Sequence, residues 1–139
     1  MSIGFQVTFD AADPAALARF WATALNYVPQ PPPQGWTSWA QWARDTGYPE
    51  DHLDHHASVV DPDGVGPRLL FQRVPEGKTA KNRVHLDVNA GAPGNDQARV
   101  DAHVARLVDA GAAVQHRSVE YGEYCVVMTD PEGNEFCVQ

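Results

Sequence analysis

Val60-Asp61-Pro62-Asp63-Gly64, with Leu69-Leu70-Phe71-Gln72 behind it, is written a second time at the end of the chain as Thr129-Asp130-Pro131-Glu132-Gly133 with Phe136-Cys137-Val138-Gln139 behind it. Asp-Pro-acid-Gly is turn chemistry, because proline presets one backbone angle, aspartate bonds the backbone just ahead, and glycine accepts a positive φ. Taken alone, such a turn could recur by chance. Outward from it the agreement continues. Gln6-Val7-Thr8-Phe9 corresponds to His85-Leu86-Asp87-Val88, and the amphipathic segment 16–25 corresponds to 100–110. Four landmarks in the same order read as an internal duplication of a strand, a helix and several further strands.

The local grammar supports each landmark. In residues 3–9, Phe5, Val7 and Phe9 alternate with Gln6 and Thr8, the period of a half-buried strand. Asp13 then caps and Pro14 starts a helix over 15–25, whose Leu17, Phe20, Trp21 and Leu25 form one apolar stripe. Pro29, Pro31, Pro32 and Pro33 make an extended connector. Ser38 caps a short helix within 37–46 that carries Trp39, Trp42 and Ala43 on one side. Strands are predicted over 56–60, 68–74 and 83–89, a helix over 96–110 stopped by Gly111, and strands over 113–119, 124–129 and 135–139.

Bulk composition sets limits on partners. The 139 residues suffice for one domain, and 43% hydrophobic with 20% charged residues is globular usage. Ten Lys and Arg against eighteen Asp and Glu leave a net charge of −8, which repels nucleic-acid phosphates and anionic lipid. No apolar run approaches the roughly 18 residues of a membrane helix, and the first residues lack a basic segment and apolar core of a signal peptide. The expectation is a cytoplasmic protein with no nucleic-acid or membrane partner, in which Cys125 and Cys137 stay reduced.

Phe5-Gln6-Val7-Thr8-Phe9, Asp13-Pro14, Leu17-Ala18-Arg19-Phe20-Trp21, Arg83-Val84-His85-Leu86-Asp87-Val88 and Asp130-Pro131-Glu132-Gly133-Asn134-Glu135-Phe136 together resemble the vicinal oxygen chelate superfamily. That group includes glyoxalase I, extradiol dioxygenases, fosfomycin-modifying enzymes and bleomycin-binding proteins. Phe71-Gln72-Arg73-Val74-Pro75-Glu76-Gly77-Lys78, running into Lys81-Asn82-Arg83-Val84-His85-Leu86-Asp87, is similar to its glyoxalase-like subgroup. The resemblance implies an α+β fold of two βαβββ modules forming a curved, partly closed eight-stranded mixed sheet around a cleft. It implies one glyoxalase-like domain: module one 1–75, connector 76–82 and module two 83–139. A homodimer is implied as well, and in the enzymes a divalent metal held by one residue from each of four strands.

Those implied metal positions fall on Gln6 and His85 in the first strands, the two candidate ligands here. In the last strand of module two the family carboxylate is replaced by Cys137, and in module one the position is Leu70 or, in a shifted register, Gln72. A set of Gln6, Gln72, His85 and Cys137 has no carboxylate, so whether Zn, Ni, Mn or Fe binds is left open. Two functions follow. One is a metal-free small-molecule-binding protein, with Gln6, Gln72, His85, Cys137, Trp39 and Tyr124 as the ligand-binding residues. The alternative is a metal-dependent lyase, isomerase or dioxygenase in which His85 is ligand or base and Glu135 or Cys137 supplies the acid.

Other features have simpler readings. Trp36, Trp39, Trp42 and Tyr48 lie in a stretch with no counterpart in module two, either ordinary packing or an aromatic lid. His52, His55 and His56 sit in what reads as a solvated loop, Lys78, Lys81 and Arg83 form a basic connector, and Tyr121 and Tyr124 are either hydroxyl donors for a cleft rim or ordinary core or rim packing. In the shared hollow, position 6 is expected to face position 85.

Overall fold

The computed structural model describes residues 1–139, which divide into two compact units, residues 1–22 with 26–76 and residues 23–25 with 77–139. Module one runs β1 (Val7–Ala11), α1 (Pro14–Leu25), β2 (Val28–Pro29), β3 (His56–Val60) and β4 (Leu69–Arg73). Between β2 and β3 it inserts α2 (Trp39–Thr46) and a 3-10 helix (Glu50–His55). Module two runs β5 (Asp87–Val88), α3 (Gln97–Asp109), β6 (Ala113–Glu120), β7 (Glu123–Thr129) and β8 (Glu135–Val138). Both modules are therefore βαβββ.

Each module forms a four-stranded mixed sheet, in the order β1-β4-β3-β2 and β5-β8-β7-β6. In each, the first strand is parallel to the last and the remaining pairs are antiparallel. The duplication extends to individual hydrogen bonds. Asp63 N–H donates to Asp61 Oδ1 and Glu132 N–H to Asp130 Oδ1, both at 2.9 Å. Gly64 and Gly133 close these turns at φ 70° and 86°, a conformation that glycine enters without steric cost. Gln72 Nε2 donates to Asp10 Oδ1 at 2.9 Å, and Gln139 Nε2 donates to Asn89 Oδ1 at 3.1 Å. A chance recurrence of turn residues would not reproduce that last cross-strand pair.

Strand alternation assigns one face of each sheet to a helix. In module one Val59, Leu69 and Phe71 are buried with Leu17, Phe20 and Trp21 of α1. Phe9 stacks on Phe71 at 5.0 Å and tilts against Trp21 at 5.1 Å. In module two Val126, Met128, Phe136 and Val138 are buried with Val100, Val104 and Leu107 of α3. Each such side chain is worth about 1.5–3 kcal/mol of burial, so the helix-facing side stabilises each module by itself and leaves the opposite face free for polar chemistry. Asp13 and Asp96 start the two helices alike, accepting from Ala16 N–H at 3.0 Å and from Arg99 N–H at 3.2 Å.

Three elements differ from their sequence expectation. The first strand begins at Val7 and not near residue 3, leaving Ile3 and Phe5 exposed, because β1 is an edge strand whose only partner, β4, begins pairing at Leu69. The strand expected over 83–89 shrinks to Asp87–Val88, which pair with β8 through Cys137 and Val138. The histidine-bearing stretch is a 3-10 helix and not an irregular loop, with the His52 and His55 rings stacked at 4.6 Å. No helix is long and apolar enough to cross a membrane.

Candidate functional site

The free face of module one is built by β3 and β4. Alternation turns Ser58 and Leu70 away from α1, opposite each other in the β3–β4 register, with His56 and Arg68 on the same side. The inserted α2 and 3-10 helix supply a second wall. Ser38 Oγ accepts from Gln41 N–H at 3.1 Å to start α2, and Gly47 ends it at φ 77°. Between these walls lies a cavity of about 470 Å³, lined by Trp39, Trp42, Tyr48 and Leu53 on one side and by Gln30, His56, Ser58, Arg68 and Leu70 on the other. Its size is that of a small-molecule pocket. Trp42 meets Trp39 edge-on at 5.4 Å and lies tilted against Tyr48 at 5.2 Å, while Trp39 Nε1 donates to Gln30 O at 3.1 Å. The aromatic insertion therefore lines a cavity. Trp36, bonded to Asp45 at 3.0 Å, is not part of its lining.

Gln30 organises the polar side. Its Oε1 accepts from Arg68 Nε at 2.6 Å and from Ser58 Oγ at 2.7 Å. Arg68 Nη1 donates to Gln6 Oε1 at 2.8 Å, and Gln6 Nε2 reaches Thr8 Oγ1 at 3.3 Å. Gln6 thus holds a guanidinium beside the pocket. Gln72 is turned to Asp10 and does not line the cavity. Neither Arg68 nor Gln30 stood out in the sequence, because their roles come from pairings 38 and 62 positions apart.

The free face of module two has different chemistry. The parallel register sets Asp87 opposite Cys137, and His85 lies two residues back along β5's direction. Donor atoms of His85, Asp87 and Cys137 all fall within 4.8 Å of one another, with His85 Nε2 at 3.4 Å from Asp87 Oδ1. Asp87, which the sequence offered only as a neighbour of His85, is the residue that completes this group. Burial, then the adjacent Cys125 thiol, then the Asp87 carboxylate push the Cys137 thiol up to about 12, so it stays protonated at neutral pH.

Two expected site residues serve other ends. Glu135 accepts from Asn82 N–H at 3.0 Å and pairs with Lys78 at 3.1 Å, and the Asn82 N–H first, then its own backbone N–H, then Lys78 hold its carboxyl at about 2. A carboxylate so strongly ionised is no proton donor near neutrality. It fastens the 77–82 connector to β8, which also occupies Lys78 of the basic stretch. Tyr124 falls on the helix side of β7 with buried Val126 and Met128, so it is not gathered with His85 and Cys137 as a rim donor. Its hydroxyl donates to Asp101 Oδ1 at 2.8 Å and accepts from Arg117 at 2.6 Å.

The metal arrangement implied by the fold can be tested on these donors. Thr8 pairs with Leu70 as Asp87 pairs with Cys137, which makes Leu70 the counterpart of Cys137 and closes the Gln72 alternative. Leu70 has no ligand atom, and the Gln6 oxygen is committed to Arg68. One ligand from each of four strands is therefore not available, and the donors that converge all belong to module two. The residues present do not fit that four-strand set.

The family model described as glyoxalase-like domain matches residues 6–139. No functionally curated protein matches the sequence. Among solved structures, a hypothetical protein from S. aureus is similar at 18% identity and a TM-score of 0.63, over 99% of this chain and 96% of that one. A possible glyoxalase from Bacillus cereus is similar at 16% identity and 0.64, over 100% and 99%. The fosfomycin resistance protein FosX from Mesorhizobium loti is similar at 14% identity and 0.66, over 100% and 92%. At these identities the structural likeness is one of fold.

Proposed function

Because the chain belongs to the glyoxalase-like domain family, we propose that it is a small-molecule-binding protein whose ligand occupies the module-one cavity without needing a divalent cation. The observation that carries this reading is the 470 Å³ pocket, which has an aromatic wall and a fixed polar side within one module. Aromatic faces exclude water around an apolar or planar body, while a few fixed polar groups set its orientation. Titration with a panel of aromatic metabolites and antibiotics, followed by tryptophan fluorescence, tests it. Saturable quenching that survives dialysis against a chelator is expected. Absence of any saturating ligand, or loss of binding on chelation, overturns it.

The convergence of His85, Asp87 and Cys137 favours a second reading, a metal-dependent lyase, isomerase or dioxygenase with His85 as ligand or base. It requires metal to copurify at near one equivalent, or Zn, Ni, Mn or Fe(II) to raise the melting temperature, with His85→Ala removing the effect. A homodimer accompanies either reading by family analogy, and light scattering should then return twice the 15.2 kDa chain mass.

A further inference from the structure

We infer that the ligand of the module-one pocket is a planar aromatic oxyanion, a ring system against Trp39 and Trp42 with its carboxylate or equivalent anionic oxygens on Arg68; this rests on the pocket being the ligand site. The chain carries eight more acidic than basic charges, yet none of the residues lining this cavity is a carboxylate. Arg68 is the lining residue with a permanent charge, and it has no carboxylate within 4.0 Å, whereas Arg73, Arg99 and Arg117 each have one. Its partners inside the protein are two neutral amide oxygens, Gln30 Oε1 and Gln6 Oε1.

That pairing fixes the guanidinium without neutralising it. A guanidinium only donates, and it has five N–H groups. The two amide bonds take one on Nε and one on Nη1, which leaves both N–H groups of Nη2 for a ligand. Gln30 must turn its oxygen toward Arg68 and Ser58, so its NH₂ group is left as a second donor on the pocket wall. The polar side of the pocket is thus rich in donors and positively charged, the complement of an anionic oxygen pair. The opposite wall is aromatic and pinned through Trp39 Nε1 to the Gln30 carbonyl, so Gln30 ties the ring-binding wall to the anion-binding group. A flat ring carrying an oxyanion in its plane satisfies both walls at once. Gln6 and Gln30 are positioning residues and Arg68 determines specificity.

The test compares 2-naphthoate with 2-naphthamide, which share a ring and differ in charge, by calorimetry on the whole protein. Wild type should bind naphthoate at least about tenfold tighter, the scale of one charge-assisted pair. Arg68→Gln should bring the two affinities together by weakening naphthoate far more than the amide, and Trp39→Ala should weaken both. Binding of both probes with equal affinity to wild type, with Trp39→Ala weakening each, keeps the pocket and overturns the anion assignment. Failure of both probes to saturate the site at their solubility limits, or binding indifferent to Trp39→Ala, overturns the pocket and the assignment together. The wild-type preference decides the question even if Arg68→Gln does not fold.

Discussion

Glu135 and Cys137 stand two residues apart on β8, and their surroundings drive them in opposite directions. Glu135 is partly exposed but held at about 2 by Asn82 N–H and Lys78, against an ordinary 4.5. A depressed native value stabilises the fold above about 4.5 and loses that contribution as the pH falls toward 2. Glu135→Gln should therefore lower the urea midpoint at pH 7, and the gap from wild type should close between pH 4.5 and 2. A gap constant across that range would show that the carboxylate charge contributes nothing. Salt should erase only the Lys78 share, because the backbone hydrogen bond is not screened in the same way. Cys137, held at about 12, is thiolate in only about one molecule in ten thousand at pH 8. Its alkylation by iodoacetamide in the folded protein should be on the order of a thousandfold slower than in denaturant, read from the labelled peptide by mass spectrometry. Labelling at the unfolded rate would mean that the fold leaves this thiol's ionisation unshifted and would revive thiol chemistry on module two.

The inserted α2 turns a generic module into one with a pocket. It is two turns long, too short to be stable by itself, so its cap matters more than in a longer helix. Ser38→Ala removes the bond to Gln41 N–H and should cost about 1 kcal/mol in thermal or urea unfolding. Because α2 carries Trp39 and Trp42, the same change should weaken binding of an aromatic probe by no more than about fivefold, the equivalent of that free energy. Ser38→Asp, another good cap, should restore both. An affinity unmoved by a frayed α2 would mean that the helix is decoration. The elements were legible in the sequence wherever local chemistry decides them: Asp13, Ser38 and Asp96 as caps, the two Asp-Pro turns, and the alternation of β7 and β8. They were misjudged where a partner decides. Residues 3–6 have a strand-like pattern but sit beyond the end of β4, and of residues 83–86 only Leu86 reaches β8 by a backbone hydrogen bond, its carbonyl accepting from Cys137 N–H at 3.0 Å. The aromatic wall was visible because module two has no equivalent. Arg68 was not, because Gln6 and Gln30 approach it only once all four strands have assembled.

At the scale of the whole chain, the duplication has produced two sheets of one topology whose free faces carry different groups. Module one carries Arg68 among neutral amides and aromatics, and module two carries Asp87, Glu135 and a protonated thiol. Around both lies a net charge of −8, which an anionic ligand must approach before it meets Arg68. The two electrostatic effects act over different distances. Raising ionic strength from about 0.01 M to 0.15 M shortens the Debye length from about 30 Å to about 8 Å, which screens the repulsion of the whole molecule far more than a direct contact in the pocket. The association rate of 2-naphthoate, followed by stopped-flow tryptophan fluorescence, should accordingly rise across that range while its dissociation rate changes little, and neutral 2-naphthamide should show neither effect. A rate that falls with salt would mean that the field at the mouth of the pocket is positive and that ligands are steered in by attraction. In that case the net charge would have no bearing on the encounter, and surface cations near module one would have to be sought as its source.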